Sequence, residues 1–160
     1  MLTQAVYTDW SSNIVVVLLT LVLVGLAVMI HYEGLNFLNQ WLRPRQQSPR
    51  RRLLLYSIAG VICLHLVEIW LFGIGYHLVQ YFPQYGYIHG SQHEQHFFDN
   101  IYFSSAVYSS VGFGDLVPIG PIRFIAGTEG LVGLVLIGWS ASFTYLEMQR
   151  YWSATDAKKP

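Results

Sequence analysis

A single cysteine, Cys63, rules out any intrachain disulfide and is expected to pack as a small apolar residue inside a helix. Charge is nearly as scarce. Nine basic and nine acidic residues make up 11% of the 160, while 53% are hydrophobic and 16% aromatic. An ordinary soluble domain carries roughly 25% charged residues, so the shortage excludes that class and points to several spans in a bilayer. No Lys or Arg precedes the first apolar stretch, whereas Asp9 does, so the basic leader of a cleaved signal peptide is missing. A nucleophile triad, a phosphate loop and a nucleic-acid-binding patch are all lacking, so neither an enzyme nor a nucleic-acid partner is expected. The stretch from Ile88 to His96 misses the H-E-x-x-H pattern by one residue, which argues against a zinc hydrolase. His89, His93 and His96 with Glu94 leave a structural or blocking metal site open, beside the plainer reading of solvated imidazoles.

Three apolar stretches approach the ~20 residues needed to cross a ~30 Å hydrocarbon core. The first runs from Ile14 to Ile30 without a charge. The second, from about Leu53 to Val79, is interrupted by His65 and Glu68. The third, from about Ile122 to Met148, is interrupted by Glu129. Arg43, Arg45, Arg50, Arg51 and Arg52 all fall between the first two, which assigns that connection to the cytoplasm. The amino terminus is then outside, and the carboxyl tail with Arg150, Lys158 and Lys159 is cytoplasmic. Within the connection, Leu35, Leu38, Trp41 and Leu42 recur at helical spacing and stop near Pro44. Two readings stay open: a short interfacial helix, or a continuation of the first span.

Between the second and third spans lies Ser110-Val111-Gly112-Phe113-Gly114-Asp115. Gly112 and Gly114 tolerate φ > 0, which lets a loop aim several carbonyl oxygens at one axis, and Val111 and Phe113 alternate with them to pack the loop from behind. The hexapeptide is similar to the potassium-channel filter TVGYG. From about Leu53 to Arg150 the chain resembles the pore module of tetrameric potassium channels: outer helix, turret, pore helix, filter, inner helix. The resemblance places the pore helix at Asp99–Ser109, with Asp99 as its N-cap. It puts Tyr102 and Phe103 in an aromatic cuff around the filter and Gly133 at a hinge of the inner helix. Potassium would be held at Ser110, Val111, Gly112 and Phe113, largely by backbone oxygens, with Gly114 completing the loop and Asp115 making the mouth negative.

Departures from the family pattern are informative. Ser110 replaces the usual Thr but keeps a hydroxyl. Phe113 replaces the usual Tyr and loses a hydroxyl that could tie the filter to its cuff, a tie worth roughly 1 kcal/mol. Ala106 stands where some members place a buried carboxylate. His65 and Glu68, three apart, share a helix face. Counted at 1.5 Å per residue, Glu68 lies ~22 Å above the inner start of its span and Glu129 ~10 Å below the outer start of its own, so the two reach a similar depth. An intramembrane charge is costly unless paired or hydrated, so Glu129, Glu68 and His65 are expected to form one polar cluster supporting the filter from behind, and its substitution to alter gating or pH response.

No span carries regularly spaced arginines, so a voltage sensor is not expected. About ten residues follow Arg150, so a nucleotide- or calcium-binding domain is not expected there. One filter loop per chain implies a homotetramer, because a carbonyl-ringed pore needs four. The expected fold is an all-α membrane protein with three transmembrane helices, a re-entrant pore helix and a filter loop. It divides into residues 1–52 (first helix and basic linker), 53–150 (pore domain) and 151–160 (tail). The expected function is passive potassium conduction across a plasma or bacterial inner membrane, with no organic cofactor. Gating would come from the pore, protons, lipid or a separate regulatory subunit. A weakly selective cation channel and a non-conducting assembly or sensor subunit are the alternatives.

Overall fold

The computed structural model describes residues 10–42, 50–90 and 96–156. Asp9, Arg43, Arg45, His93, Glu94, Lys158 and Lys159, on which parts of the topology and turret-metal readings rest, lie outside the described residues.

Three long helices dominate: α1 (Trp10–Leu42), α2 (Arg50–Val79) and α4 (Arg123–Asp156). Each is long and apolar enough to span a membrane. A shorter helix, α3 (Phe97–Tyr108), lies between the second and third. Lipid tails are as apolar as Leu, so hydrophobicity alone does not draw such helices together; close packing and internal hydrogen bonds do. The helices accordingly leave much apolar surface facing outward, such as Leu18, Val22 and Met29 on α1 and Leu131, Leu134 and Val135 on α4. Cys63 is in α2 as expected, but it faces outward rather than into the core.

The buried stripe of α1 runs through Val16, Thr20, Leu23, Ala27, His31 and Leu35, spaced three or four residues apart as one helix face requires. It packs on α2 and α4. The α1–α2 seam is reciprocal: a Cβ on Gly34 would meet Leu64 at 2.5 Å, and one on Gly60 would meet Leu38 at 2.9 Å. Residues 35–42 therefore continue α1 as one helix. The interfacial-helix reading is corrected, because Leu35 and Leu38 belong to the same packed seam as the residues before them.

The short α3 is wedged between α2 and α4. A Cβ on Gly73 of α2 would approach the Ile101 backbone to 3.0 Å, and one on Gly133 of α4 would lie 2.2 Å from the Tyr108 carbonyl oxygen. Bare backbone on both sides is what lets a third helix enter. The core lies where the elements meet, with Phe72, Tyr76, Phe103, Ile122 and Ile125 nearly or wholly buried.

The start of α3 differs from the sequence expectation. His96, extended at φ −69° and ψ 135°, is the N-cap and makes no side-chain cap bond. Asp99 sits in the first turn, its N–H bonded to the His96 carbonyl at 3.0 Å. There its negative charge still favours the positive end of the helix dipole.

Outside the helices, the all-α expectation needs one addition. After a single 3-10 turn at Pro83–Tyr85, β1 (Tyr87–His89) pairs antiparallel with β2 (Val117–Ile119), Ile88 opposite Pro118. Three-residue strands leave no periodic signal in a sequence. At the end of the ribbon, Gly90 has φ 120° and approaches so closely that a Cβ would lie 2.0 Å from the Asp115 carbonyl oxygen. The turret strand is thereby held against the residue that ends the filter-like loop.

Candidate functional site

The candidate site begins where α3 ends. Ser109 caps the helix at φ −78°, and its N–H still reaches the Ser105 carbonyl at 3.2 Å. The chain then reverses. Ser110 takes φ 58°, Gly112 54° and Gly114 81°. Among the described residues Ser110 is the one non-glycine with positive φ, a left-handed conformation costing an L-residue roughly 1–2 kcal/mol. The Ser110 N–H bonds the Val107 carbonyl at 2.9 Å and the Gly112 N–H bonds the Ala106 carbonyl at 3.0 Å, so the loop is anchored to the last turn of α3. Within this chain the whole run from Ser110 to Asp115 is exposed, with Val111 at 56% and Phe113 at 69%.

Tyr102 grips the loop at two points. Its ring stacks on Phe113, centroids 6.2 Å apart and planes 6° from parallel, and its hydroxyl donates to Asp115 Oδ2 at 2.9 Å. That bond to a carboxylate lifts the phenol above its ordinary range. Phe103, expected beside it in the cuff, turns into the core and meets Tyr76 edge-on at 5.0 Å. A pocket of about 210 Å³ lies behind the loop, bordered by Tyr102, Phe103, Ala106, Phe113 and Ala126. Ala106 contributes only a methyl group to that space, and the acidic residue on its border is Asp115 of the loop.

The buried acids act one layer further back. Glu129 of α4 meets Ser104 Oγ at 2.5 Å and accepts from the Tyr76 hydroxyl. Ser104 Oγ is also 2.8 Å from the Ile69 carbonyl. The Ser104 hydroxyl is thus shared between the Glu129 carboxylate and the Ile69 carbonyl, which ties α3 to both α4 and α2. Glu68 of α2 accepts at Oε1 from His31 Nδ1 at 2.8 Å, and at Oε2 from the Tyr108 hydroxyl. His65 Nδ1 lies 3.1 Å from Glu68 Oε2 and 2.8 Å from the Tyr108 hydroxyl.

The single cluster expected for Glu129, Glu68 and His65 is thus divided in two. Glu129 holds Ser104 and Glu68 holds Tyr108, one turn apart on α3. Among the described residues no hydrogen bond joins the two acids, and neither bonds the loop itself. Each side chain points toward α3 from a different helix, which depth alone could not reveal. A third set closes the outer end: Gln80 donates to Asn100 Oδ1 at 2.6 Å and accepts from the Ile88 N–H at 3.0 Å, while Asn100 Nδ2 lies 3.2 Å from His77 Nδ1.

A sequence profile of a family described as "Ion channel" matches residues 53–150, more than half of the chain. The chain belongs to that ion-channel family. No curated protein and no solved structure matches it.

In this channel the matched segment takes in α2, the turret, α3, the loop and most of α4, while α1 lies wholly outside it. Sequence reasoning missed His31, Tyr76, Ser104 and Tyr108. For His31 a signal existed: it continues the four-residue ladder Leu23, Ala27, His31, Leu35 beyond the charge-free stretch. The hydroxyl partners had none, since a Ser or Tyr in an apolar run carries no spacing mark. Gly133 is placed against the Tyr108 carbonyl in an unbroken α4, which gives it a packing role independent of any hinge.

Proposed function

We propose that four copies of this chain form a channel that conducts potassium passively and selectively, with Ser110–Gly114 lining the filter. The observation carrying this reading is the alternation of positive φ at Ser110, Gly112 and Gly114 with ordinary φ at Val111 and Phe113. That alternation suits a backbone whose successive carbonyls face one side, replacing the water shell of a cation. The exposed Val111 and Phe113 support the oligomer: apolar side chains flanking a polar backbone need cover, and neighbouring copies around a fourfold axis would supply it. The carboxyl end of α3 adds a partial negative charge below the loop. Asp115 stands at the outer mouth, oriented by Tyr102, and Glu68 with Glu129 hold α3 at the required angle.

Purified protein in planar bilayers, with potassium on one side and sodium on the other, tests the reading. A reversal potential following the potassium gradient is the expected result. Equal permeability to sodium would replace it with a weakly selective cation channel, consistent with a Phe113 held by stacking and lacking a hydroxyl. No current from an intact oligomer would favour the non-conducting subunit. The same reading puts the filter mouth and amino terminus outside the cell and the Arg-rich connection inside.

A further inference from the structure

The region matched by the family leaves α1 unexplained, yet α1 contributes His31, one of the most deeply buried polar side chains in the protein. We propose that His31, His65 and Glu68 bind a divalent transition-metal ion, zinc foremost, that clamps α1 onto α2 beside the channel's pore helix. One ligand atom from each of the three lies within 4.8 Å of the others. His31 Nδ1 is 2.8 Å from Glu68 Oε1, and His65 Nδ1 is 3.1 Å from Glu68 Oε2. Donors bound tetrahedrally at about 2.0–2.1 Å from zinc stand about 3.3 Å apart, so ligand atoms now within 4.8 Å of one another would close by at most about 1.5 Å, through side-chain rotation, to admit the ion.

The chemistry of the set selects the ion. Two imidazoles and one carboxylate suit zinc, cobalt, nickel or copper. Calcium and magnesium ask for six or more oxygens, and one carboxylate cannot meet that demand. Three protein ligands leave a fourth position, and the Tyr108 hydroxyl, 2.8 Å from His65 Nδ1, stands beside it. His65 and Glu68, at i and i+3, present their side chains from one face of α2, and His31 comes from α1 opposite them. The far nitrogen of His31 meets Ser140 Oγ of α4 at 3.4 Å, an outer hydrogen bond of the kind that fixes a ligating imidazole. The Trp139 ring, 5.3 Å from the His31 ring, walls the site. His31 and Glu68 have fully buried side chains, while that of His65 is 16% exposed and marks the way in. An ion here would tie α1 and α2 together beside Tyr108, the last residue of α3 before the chain turns into the filter loop. The extra helix would then be a removable brace on α2, the helix whose Glu68 holds Tyr108.

The test uses the full chain purified in detergent with His89→Gln, His93→Gln and His96→Gln, so that turret imidazoles contribute nothing. Cobalt(II) is titrated by its visible absorption and then displaced with zinc. The expected result is one ion per chain with the intense bands of a four-coordinate N/O site. Ser140→Ala should weaken binding by about 10-fold, and His31→Ala and Glu68→Gln by more than that. His65→Ala, at the partly exposed ligand, serves if a variant at a buried ligand does not insert. Absence of saturable binding at one ion per chain, or wild-type affinity in a folded variant lacking one ligand, would overturn the proposal and leave a hydrogen-bonded network only. Because the readout is metal and not current, this failure is separate from failure of the channel reading.

Discussion

Replacing Gly133 by Ala separates two roles for one residue. The added Cβ would sit 2.2 Å from the Tyr108 carbonyl oxygen and 3.1 Å from the Tyr108 Cα. Carbon and carbonyl oxygen in close contact settle near about 3.3 Å, so α3 and α4 would have to part by about 1 Å. Overpacking of this kind costs roughly 1–3 kcal/mol, while Ala in place of Gly in a helix returns about 0.5–1 kcal/mol. The net expectation is a loss of about 0–2.5 kcal/mol per chain, centred near 1. The displaced group is the carboxyl end of α3, so the Tyr108–Glu68 bond and the loop beginning at Ser110 move with it. Gly138→Ala is the control: it lies in the same helix with no atom within 4 Å of its added Cβ. Thermal unfolding in detergent should show Gly133→Ala destabilised and Gly138→Ala slightly stabilised, and bilayer current should fall only in the first. Equal stabilisation of both with altered opening in Gly133→Ala alone would refute the packing account and restore the hinge.

Gly112→Ala and Gly114→Ala meet no neighbouring atom within the chain but place a Cβ at φ 54° and 81°. A cost of about 1–2 kcal/mol per chain should abolish selectivity or conduction while membrane insertion survives; wild-type selectivity in both would remove the loop from the ion path. Tyr102→Phe keeps the stack on Phe113 and removes the bond to Asp115, so the potassium-to-sodium permeability ratio should drop with oligomer assembly unchanged, as bi-ionic reversal potentials would reveal. Glu129→Gln keeps the side chain's size and an oxygen to accept from the Tyr76 hydroxyl, so unfolding temperature should barely move. Glu129→Ala strands the Tyr76 hydroxyl, while Ser104 keeps the Ile69 carbonyl, and should cost roughly 1–3 kcal/mol; a Gln variant as unstable as the Ala variant would show that more than the Tyr76 hydrogen bond depends on this carboxylate.

The membrane class, the three spans and the loop could all be read from residues, because sparse charge, span length and glycine alternation are each local signals. Positive φ at Gly112 and Gly114 matched expectation. Ser110 in the same region did not announce itself, since its conformation is imposed by the reversal of the chain after α3. Depth counting brought Glu68 and Glu129 to one level, and both do reach α3, at Tyr108 and Ser104. It could not give their bearing around the helix axes, so one cluster was expected where there are two. Hydropathy ended the first span at Ile30 and so overlooked His31, although the helix continues to Leu42. A polar residue inside a packed stripe is invisible to a window that scores only apolarity.

The length of α1 has a mechanical meaning. Its 33 residues extend about 50 Å at 1.5 Å each, against about 30 Å of hydrocarbon. A rod that overshoots its solvent either protrudes or leans, and its lean follows bilayer thickness. At the overhanging end Asn39 of α1 meets Arg150 of α4 at 3.5 Å, and partway along the rod His31 is bonded to Glu68 and through it to Tyr108. Polar contacts therefore mark two heights along a rod whose apolar stripe is packed from Val16 to Leu35. A variant that shortens α1 at its overhanging end should therefore lose the Asn39 contact and keep the His31 one.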